Sequence, residues 1–405
     1  MTRQQFSIFS LDLHEYDWSS ALTDLIKYQI RKKTAAGLLL AVLLTVMLSG
    51  CRQETLDIGY IAGLTGPNSD LGISGLYGLH MAVEEINAAG GILGRAVVIR
   101  EKDDRNSESS ALAAVTELHD TGVEFLIGPI LSSMMIPLSD YINEQEILTI
   151  GPTATSHRLC GKDDFLIRLS PDDSFQARAL AEFMIRKGYR TVAVLYDGNN
   201  QEYTDSLFKL FQTCLEGLDG RVIHSGIFYS DFFRRYEDSL FPALATDPDA
   251  LLIIANSFDA SNFSQILYKS GSEIPVFHPL WPMTDELLRL GGAAVEGHHL
   301  VNMIDFQSQA SDFLTFRNRY RETYGQDITF ASLLAYESMH ILADTMNRTG
   351  STDPRTVRRD IIRTGTFRGL QGPILIDPYG DCWKDMYRYT IRNGQFLRLE
   401  NEQDA

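Results

Sequence analysis

Ser132 and Ser133 follow the apolar run Phe125–Pro129 and open a segment of helical periodicity that ends near Glu144. A serine hydroxyl beside the unpaired N–H groups of a first helical turn makes an anion site, and the same residue serves equally as an N-cap. The next apolar run, Ile147–Ile150, leads into Thr153-Ala154-Thr155-Ser156. That loop can hydrogen-bond a polar solute or simply close an ST-turn. Tyr203 stands at a helix start after the loop at Asp197–Asn200, where an aromatic either covers a ligand or packs into the core. Asn256, Ser257 and Asp259 follow the apolar run Ala250–Ala255. Trp281 comes shortly after the short run Val276–Phe277, placed to stack on a ring, to face a quaternary amine or to fill core.

No other arrangement points to catalysis. His298-His299 would face opposite sides of a strand, and neither H-E-x-x-H nor paired Cys/His spacing supports them, so no metal is expected. Gly72-Ile73-Ser74-Gly75 lacks the spacing of a G-x-S-x-G nucleophile elbow. G-x-x-x-x-G-K-[ST] does not occur, so ATP hydrolysis would belong to a partner. The formal net charge of −17 opposes nucleic acid and anionic membrane surfaces and otherwise serves solubility. No cofactor is called for.

The N-terminal region reads as an address. Lys27, Arg31, Lys32 and Lys33 precede the uncharged apolar run Ala35–Met47, the pattern of a secretory signal. The run is shorter than the ~20 apolar residues a membrane span needs. It ends in Leu48-Ser49-Gly50-Cys51, which resembles the bacterial lipobox, where cleavage precedes the cysteine and its thiol receives lipid. Asp12, Glu15, Asp17 and Asp24 are foreign to a signal peptide, and Met1 is expected to be an upstream misassigned start. Residues 1–50 are therefore set outside the fold. With Cys51 assigned to lipidation, Cys160, Cys214 and Cys382 allow at most one internal disulfide.

From residue 57 onward, short apolar runs alternate with amphipathic segments. Strands are expected at Asp57–Ala62, Val97–Glu101, Phe125–Ile127 and Ile147–Ile150, with helices at Gly75–Ala88, Ser109–Thr121 and Ser132–Glu144 between them. The rhythm restarts at Phe175 and continues through helices at Ser311–Tyr324 and Ala331–Asn347. Ile374–Ile376 and Met386–Arg392 read as a terminal antiparallel ribbon around a turn at Asp377–Asp381. The fold class is thus α/β, with two doubly wound parallel-sheet lobes. No flexible linker separates them, so the chain is expected to cross between lobes more than once.

Several ordered blocks carry a resemblance. Gly63-Leu64-Thr65-Gly66-Pro67, then Glu84-Glu85-Ile86-Asn87-Ala88-Ala89-Gly90-Gly91-Ile92-Leu93-Gly94, Asp103-Asp104, and Ile127-Gly128-Pro129 are similar to the type I periplasmic solute-binding proteins. The branch is the leucine/isoleucine/valine- and amide-binding group of branched-chain amino acid ABC importers. The resemblance implies lobe 1 at 57–170 plus 302–371 and lobe 2 at 171–301 plus 372–399. It also implies hinge crossovers near Leu169–Pro171, Leu300–Ile304 and Leu370–Pro373, and assigns Asp103-Asp104 to organising a loop.

By that resemblance, the hydroxyl of Ser132 grips a ligand carboxylate, with Ser133 beside it. Thr155 adds a hydroxyl and Thr153 its backbone, Tyr203 covers the ligand on closure, and Asn256 and Asp259 are weaker lobe 2 candidates. The glutamate that pairs an ammonium in the amino-acid binders is Leu280 here, with Trp281 next to it. Either Asp259 or Asp285 substitutes, or the ligand is not a standard α-amino acid. The implied function is capture of an amino acid, amide or related carboxylate by a monomer. It would be exported, anchored through Cys51 on the periplasmic or cell-surface face, and partnered by an ABC permease and ATPase. A ligand sensor of the same fold is the alternative, and a hydrolase a weaker one.

Overall fold

The computed structural model describes residues 55–66, 69–229 and 235–400, together with parts of a helix between positions 19 and 34. That helix belongs to a unit separate from the chain after Glu54. Its Leu22, Leu25, Ile26, Tyr28 and Ile30 are exposed. Among the described residues no helix is long and apolar enough to cross a membrane. The run at 35–47, Cys51 and Pro67 lie outside the described residues.

The first half of the chain builds a wholly parallel sheet. β1 (Leu56–Ala62), β2 (Val97–Asp103), β3 (Phe125–Ile127), β4 (Leu148–Gly151) and β5 (Leu166–Arg168) run in the order β2-β1-β3-β4-β5. Helices α1 (Ser69–Ala88), α2 (Glu108–Asp120) and α3 (Ser132–Glu144) connect them. A parallel sheet with helical crossovers is covered on both faces, which is why β3 and β4 are buried at every position. α1 begins well before the expected Gly75, because Asp70 and Leu71 extend it toward the loop at 63–66. The turn after α1 explains its glycines: Gly91 has φ +78, and a Cβ there would lie 2.0 Å from the Arg95 carbonyl oxygen. Asp103 holds the loop at 63–66, accepting from the Leu64 N–H at 2.9 Å and the Thr65 hydroxyl at 2.6 Å.

After α4 (Asp173–Arg186) the chain enters a second sheet, ordered β15-β14-β10-β9-β8-β6-β7. Its parallel part is β6 (Thr191–Asp197), β7 (Arg221–Phe228), β8 (Ala250–Ile254), β9 (Val276–His278) and β10 (His299–Asn302). The connecting helices are α5 (Gln201–Glu216), α6 (Glu237–Leu244), α7 (Ser257–Ser270) and α8 (Asp285–Gly291). α9 (Ser311–Tyr324) and α10 (Phe330–Thr349) then return to the first sheet's side, and α10 packs on α1. Gly78 permits that approach, since a Cβ would meet the Ser332 carbonyl oxygen at 2.0 Å.

The C-terminal segment departs from the expected ribbon. After α11 (Pro354–Thr364), β11 (Thr366–Arg368), β12 (Pro373–Ile376) and β13 (Cys382–Trp383) form a separate antiparallel sheet. β14 (Tyr387–Arg392) and β15 (Gln395–Arg398) instead extend the second sheet antiparallel to β10, so that sheet is mixed at its edge. The turn at 377–381 folds back onto the two-residue strand β13, too short to leave a periodic signal. Arg168 of β5 clamps this turn. Its guanidinium is buried and donates to Asp381 Oδ1 at 2.8 Å through Nε, while Nη2 reaches Cys160 Sγ at 2.9 Å. The segments at 169–171, 303–305 and 369–372, where the chain leaves one sheet, are irregular and not strands.

Candidate functional site

The loops that leave the carboxyl ends of β3, β4, β6 and β9 converge, the usual place for a ligand on open α/β sheets. Ile130, Leu131 and Ser132 follow β3, and Thr153 and Thr155 follow β4. Asn200 and Tyr203 follow β6, and Leu280 and Trp281 follow β9. Together with Leu71 and Phe330 they surround a cavity of about 20 Å³. That holds roughly one water-sized sphere. Ser132, Thr153, Thr155, Tyr203 and Trp281 are therefore brought onto one cavity.

Local chemistry fixes each polar group. The N-cap of α3 is Leu131, which makes no side-chain cap, so Ser132 sits one residue inside the helix and its hydroxyl is not consumed as a cap. Its Oγ accepts the Ser156 N–H at 3.2 Å, tying the two hydroxyl loops together. The Thr153 hydroxyl is spent on the Ile130 carbonyl at 2.6 Å, which leaves that residue only its backbone for a ligand. The Thr155 carbonyl accepts the Asp173 N–H at 2.9 Å. Tyr203 donates from its hydroxyl to Gln176 Oε1 at 3.2 Å, and its ring meets Trp281 edge-on, with centroids 5.5 Å apart. Gln176 Oε1 also accepts the Leu280 N–H at 3.3 Å, setting the start of the tryptophan loop.

Ser133 does not line the cavity. Its N–H donates to Asn200 Oδ1 at 3.3 Å, and its Oγ accepts the Glu202 N–H at 3.2 Å. It thus joins α3 to the start of α5. Asn256 and Asp259 also stand apart. Asn256 caps α7 by accepting the Asp259 N–H at 2.9 Å. The Asp259 carboxylate takes the Asn256 amide at 2.9 Å and the Tyr236 hydroxyl at 2.6 Å. Asp285 lies in a different cleft, its Oδ2 accepting the Asp327 N–H at 2.8 Å. Neither aspartate therefore occupies the place left by Leu280: each is already committed to holding local backbone or side chains.

The carboxyl beside the site is Asp173, the first residue of α4, which sequence reading did not single out. It is fully buried, next to Thr155 and Tyr203. Burial pushes it up to about 7, and the nearby hydroxyls of Ser206 and Thr155 offset part of that rise. Among the described residues Trp281 Nε1, Gln176 Nε2 and Ser156 Oγ have no hydrogen-bond partner. Unpaired buried polar groups each cost on the order of 1–3 kcal/mol, and these adjoin residues that line the cavity: Gln176 bonds Tyr203 and Leu280, and Ser156 bonds Ser132. The only hint in the sequence was the pair Asp172-Asp173 before a helix, of which Asp172 alone is needed as N-cap.

Of the histidines rejected as a metal site, His298 is buried beside His278 and His299 is half-buried. His278 Nε2 and His298 Nδ1 lie 3.1 Å apart, and His298 precedes β10, so the alternating-face argument does not describe it. Burial pushes His278 and His299 down to about 4 and His298 well below its ordinary value.

Two α/β sheets whose strand ends meet across one closed polar–apolar cavity define a two-lobed solute-binding protein. The chain belongs to the periplasmic binding protein family, whose profile matches residues 55–395, a family of binding proteins and not of enzymes. It is similar to Leu/Ile/Val-binding protein homolog 3 of Brucella melitensis, at 25% identity over 76% of this chain and 83% of that protein. It is also similar to the crystal structure of a leucine binding protein from Thermotoga maritima, at TM-score 0.79 and 25% identity, covering 85% of this chain and 98% of that one. A solute-binding protein of an ABC transporter from R. palustris, solved with benzoate, shares the fold at TM-score 0.78 and 16% identity, covering 85% and 95%.

Proposed function

We propose that the chain captures a small carboxylate-bearing solute, an amino acid, amide or related acid, for an ABC importer. In this reading lobe 1 is 57–170 plus 302–371 and lobe 2 is 171–301 plus 372–399, and the protein is held at a bacterial membrane by a lipid on Cys51. The observation that carries it is the closed cavity between the Ser132/Thr155 loops and the Tyr203/Trp281 loops. Ser132 Oγ, the Thr155 hydroxyl and the first turn of α3 supply donors for a carboxylate. Leu71, Leu280, Phe330 and Trp281 surround an apolar remainder. The names of the similar Brucella and Thermotoga proteins support a leucine-like solute. With leucine at 280, Asp173 is a buried carboxyl next to Thr155 and Tyr203, so an ammonium paired with it would be met from a different direction than a glutamate at 280 would meet it.

Capture proceeds by domain closure. A solute that bridges both sets of loops favours the closed arrangement by its differential affinity for it. The experiment is a thermal-shift screen of the protein against amino acids, amides, betaines and aromatic acids, followed by Ser132→Ala and Thr155→Ala. Each variant is expected to weaken the best carboxylate at least ~10-fold, the loss of about one charge-assisted hydrogen bond. Unchanged affinity in both variants, or stabilisation only by a sugar or nucleobase, would overturn the assignment.

A further inference from the structure

A second cluster lies directly behind the solute loops. His157 and Cys160 belong to a 3₁₀ turn, His157–Leu159 with Cys160 as its C-cap. Three residues per turn place positions i and i+3 on the same side, so an H-x-x-C pair converges there. Cys160 Sγ lies 3.6 Å from His157 Nδ1, and Asp172 Oδ1 lies 3.1 Å from the same nitrogen. All three ligand atoms fall within 4.8 Å of one another. Atoms bound ~2.0–2.3 Å from a tetrahedral zinc stand about 3.3–3.8 Å apart, so the triangle is close to the required size before any side chain moves.

We propose that His157, Cys160 and Asp172 form a three-ligand site for a zinc-class divalent cation. One neutral imidazole, one thiolate and one carboxylate balance a charge of +2 and suit a borderline-soft ion. On binding, the Cys160 Sγ–H proton is released to solvent and sulfur bonds the metal. Arg168 Nη2 lies 2.9 Å from that sulfur, while Asp381 balances the guanidinium. His157 is exposed, so the fourth position faces water.

The site joins two elements of the solute pocket. His157 is two residues beyond Thr155, and Asp172 immediately precedes Asp173. A cation there would brace the Thr153–Ser156 loop against the start of α4.

The test titrates the full chain with Zn²⁺ against a competing chromophoric chelator, then replaces Zn²⁺ with Co²⁺. One equivalent of tight Zn²⁺ and a thiolate-to-cobalt charge-transfer band are expected. Cys160→Ser should abolish the band and weaken Zn²⁺ at least ~100-fold, His157→Ala should weaken it at least ~10-fold, and Cys214→Ser should change neither. No stoichiometric binding by the full chain, or a band and affinity that survive Cys160→Ser, overturns the proposal.

Discussion

The Ser257 hydroxyl donates to Asp70 Oδ2 at 2.5 Å, joining the first turn of α1 beneath the first sheet to the first residue of α7 on the second. Thr284 Oγ1 reaches the same oxygen at 3.2 Å, so one carboxyl receives two hydroxyls from the opposite side. Hydrogen bonds to a charged acceptor contribute roughly 1.5–3 kcal/mol. Asp70→Ala is therefore expected to loosen closure, enlarging the radius of gyration in solution scattering and raising the solute Kd about 10-fold or more. A variant with the scattering profile and Kd of the parent would mean that this contact does not hold the lobes.

Trp281 carries an unpaired indole N–H at the cavity wall. Trp281→Phe keeps most of the packing and removes the orphan donor, so the stability of the solute-free protein should change by less than ~1 kcal/mol. Solute affinity should fall at least ~10-fold, because the bound solute is expected to accept from that N–H. Equal affinity by calorimetry would place Trp281 in the packing alone.

Asp173, buried next to Thr155 and Tyr203, is expected to distinguish solutes by their charge. Asp173→Asn should weaken an α-amino acid by ~10-fold or more while leaving an aromatic acid without an ammonium within a factor of about 2, the difference reflecting a lost charge pair. Parallel loss for both kinds of acid, measured by calorimetry, would make Asp173 a structural group.

The buried histidines set an acid limit. In the folded protein His278 and His299 titrate near 4, whereas unfolded histidine takes up its proton near 6.5. Between those values the unfolded chain binds more protons, so this contribution to stability is present above about 6.5 and is lost as pH falls toward 4. Urea midpoints should drop over that window, and His299→Phe should flatten the drop. A midpoint that falls equally steeply in the variant would exclude His299 as a source.

Gly78 is a packing requirement. Gly78→Ala sets a methyl against the Ser332 carbonyl, a backbone atom that cannot rotate away. A net loss of about 1–3 kcal/mol is expected in denaturant unfolding, despite alanine's better helix propensity. A more stable variant would show that α1 and α10 can part without cost.

The alternation of apolar runs with amphipathic segments was enough to determine two α/β sheets, most element positions and the hydroxyl loops after β3 and β4, because strand and helix periodicities are local properties. The Gly90-Gly91 turn was legible for the same reason: only glycine tolerates its backbone there. Tertiary structure alone decided which polar side chains remain free. Thr153 and Asp259 have the right residue types, yet each is consumed by a neighbour. Asp173, hidden beside an ordinary N-cap, is buried next to Thr155 and Tyr203. Chain path also decided the C-terminal pairing, since β12 pairs with β11 and the two-residue strand β13, and β14 finds β10 far away in sequence. Burial and hydrogen-bond satisfaction depend on contacts between distant segments, and no local pattern of residues records them.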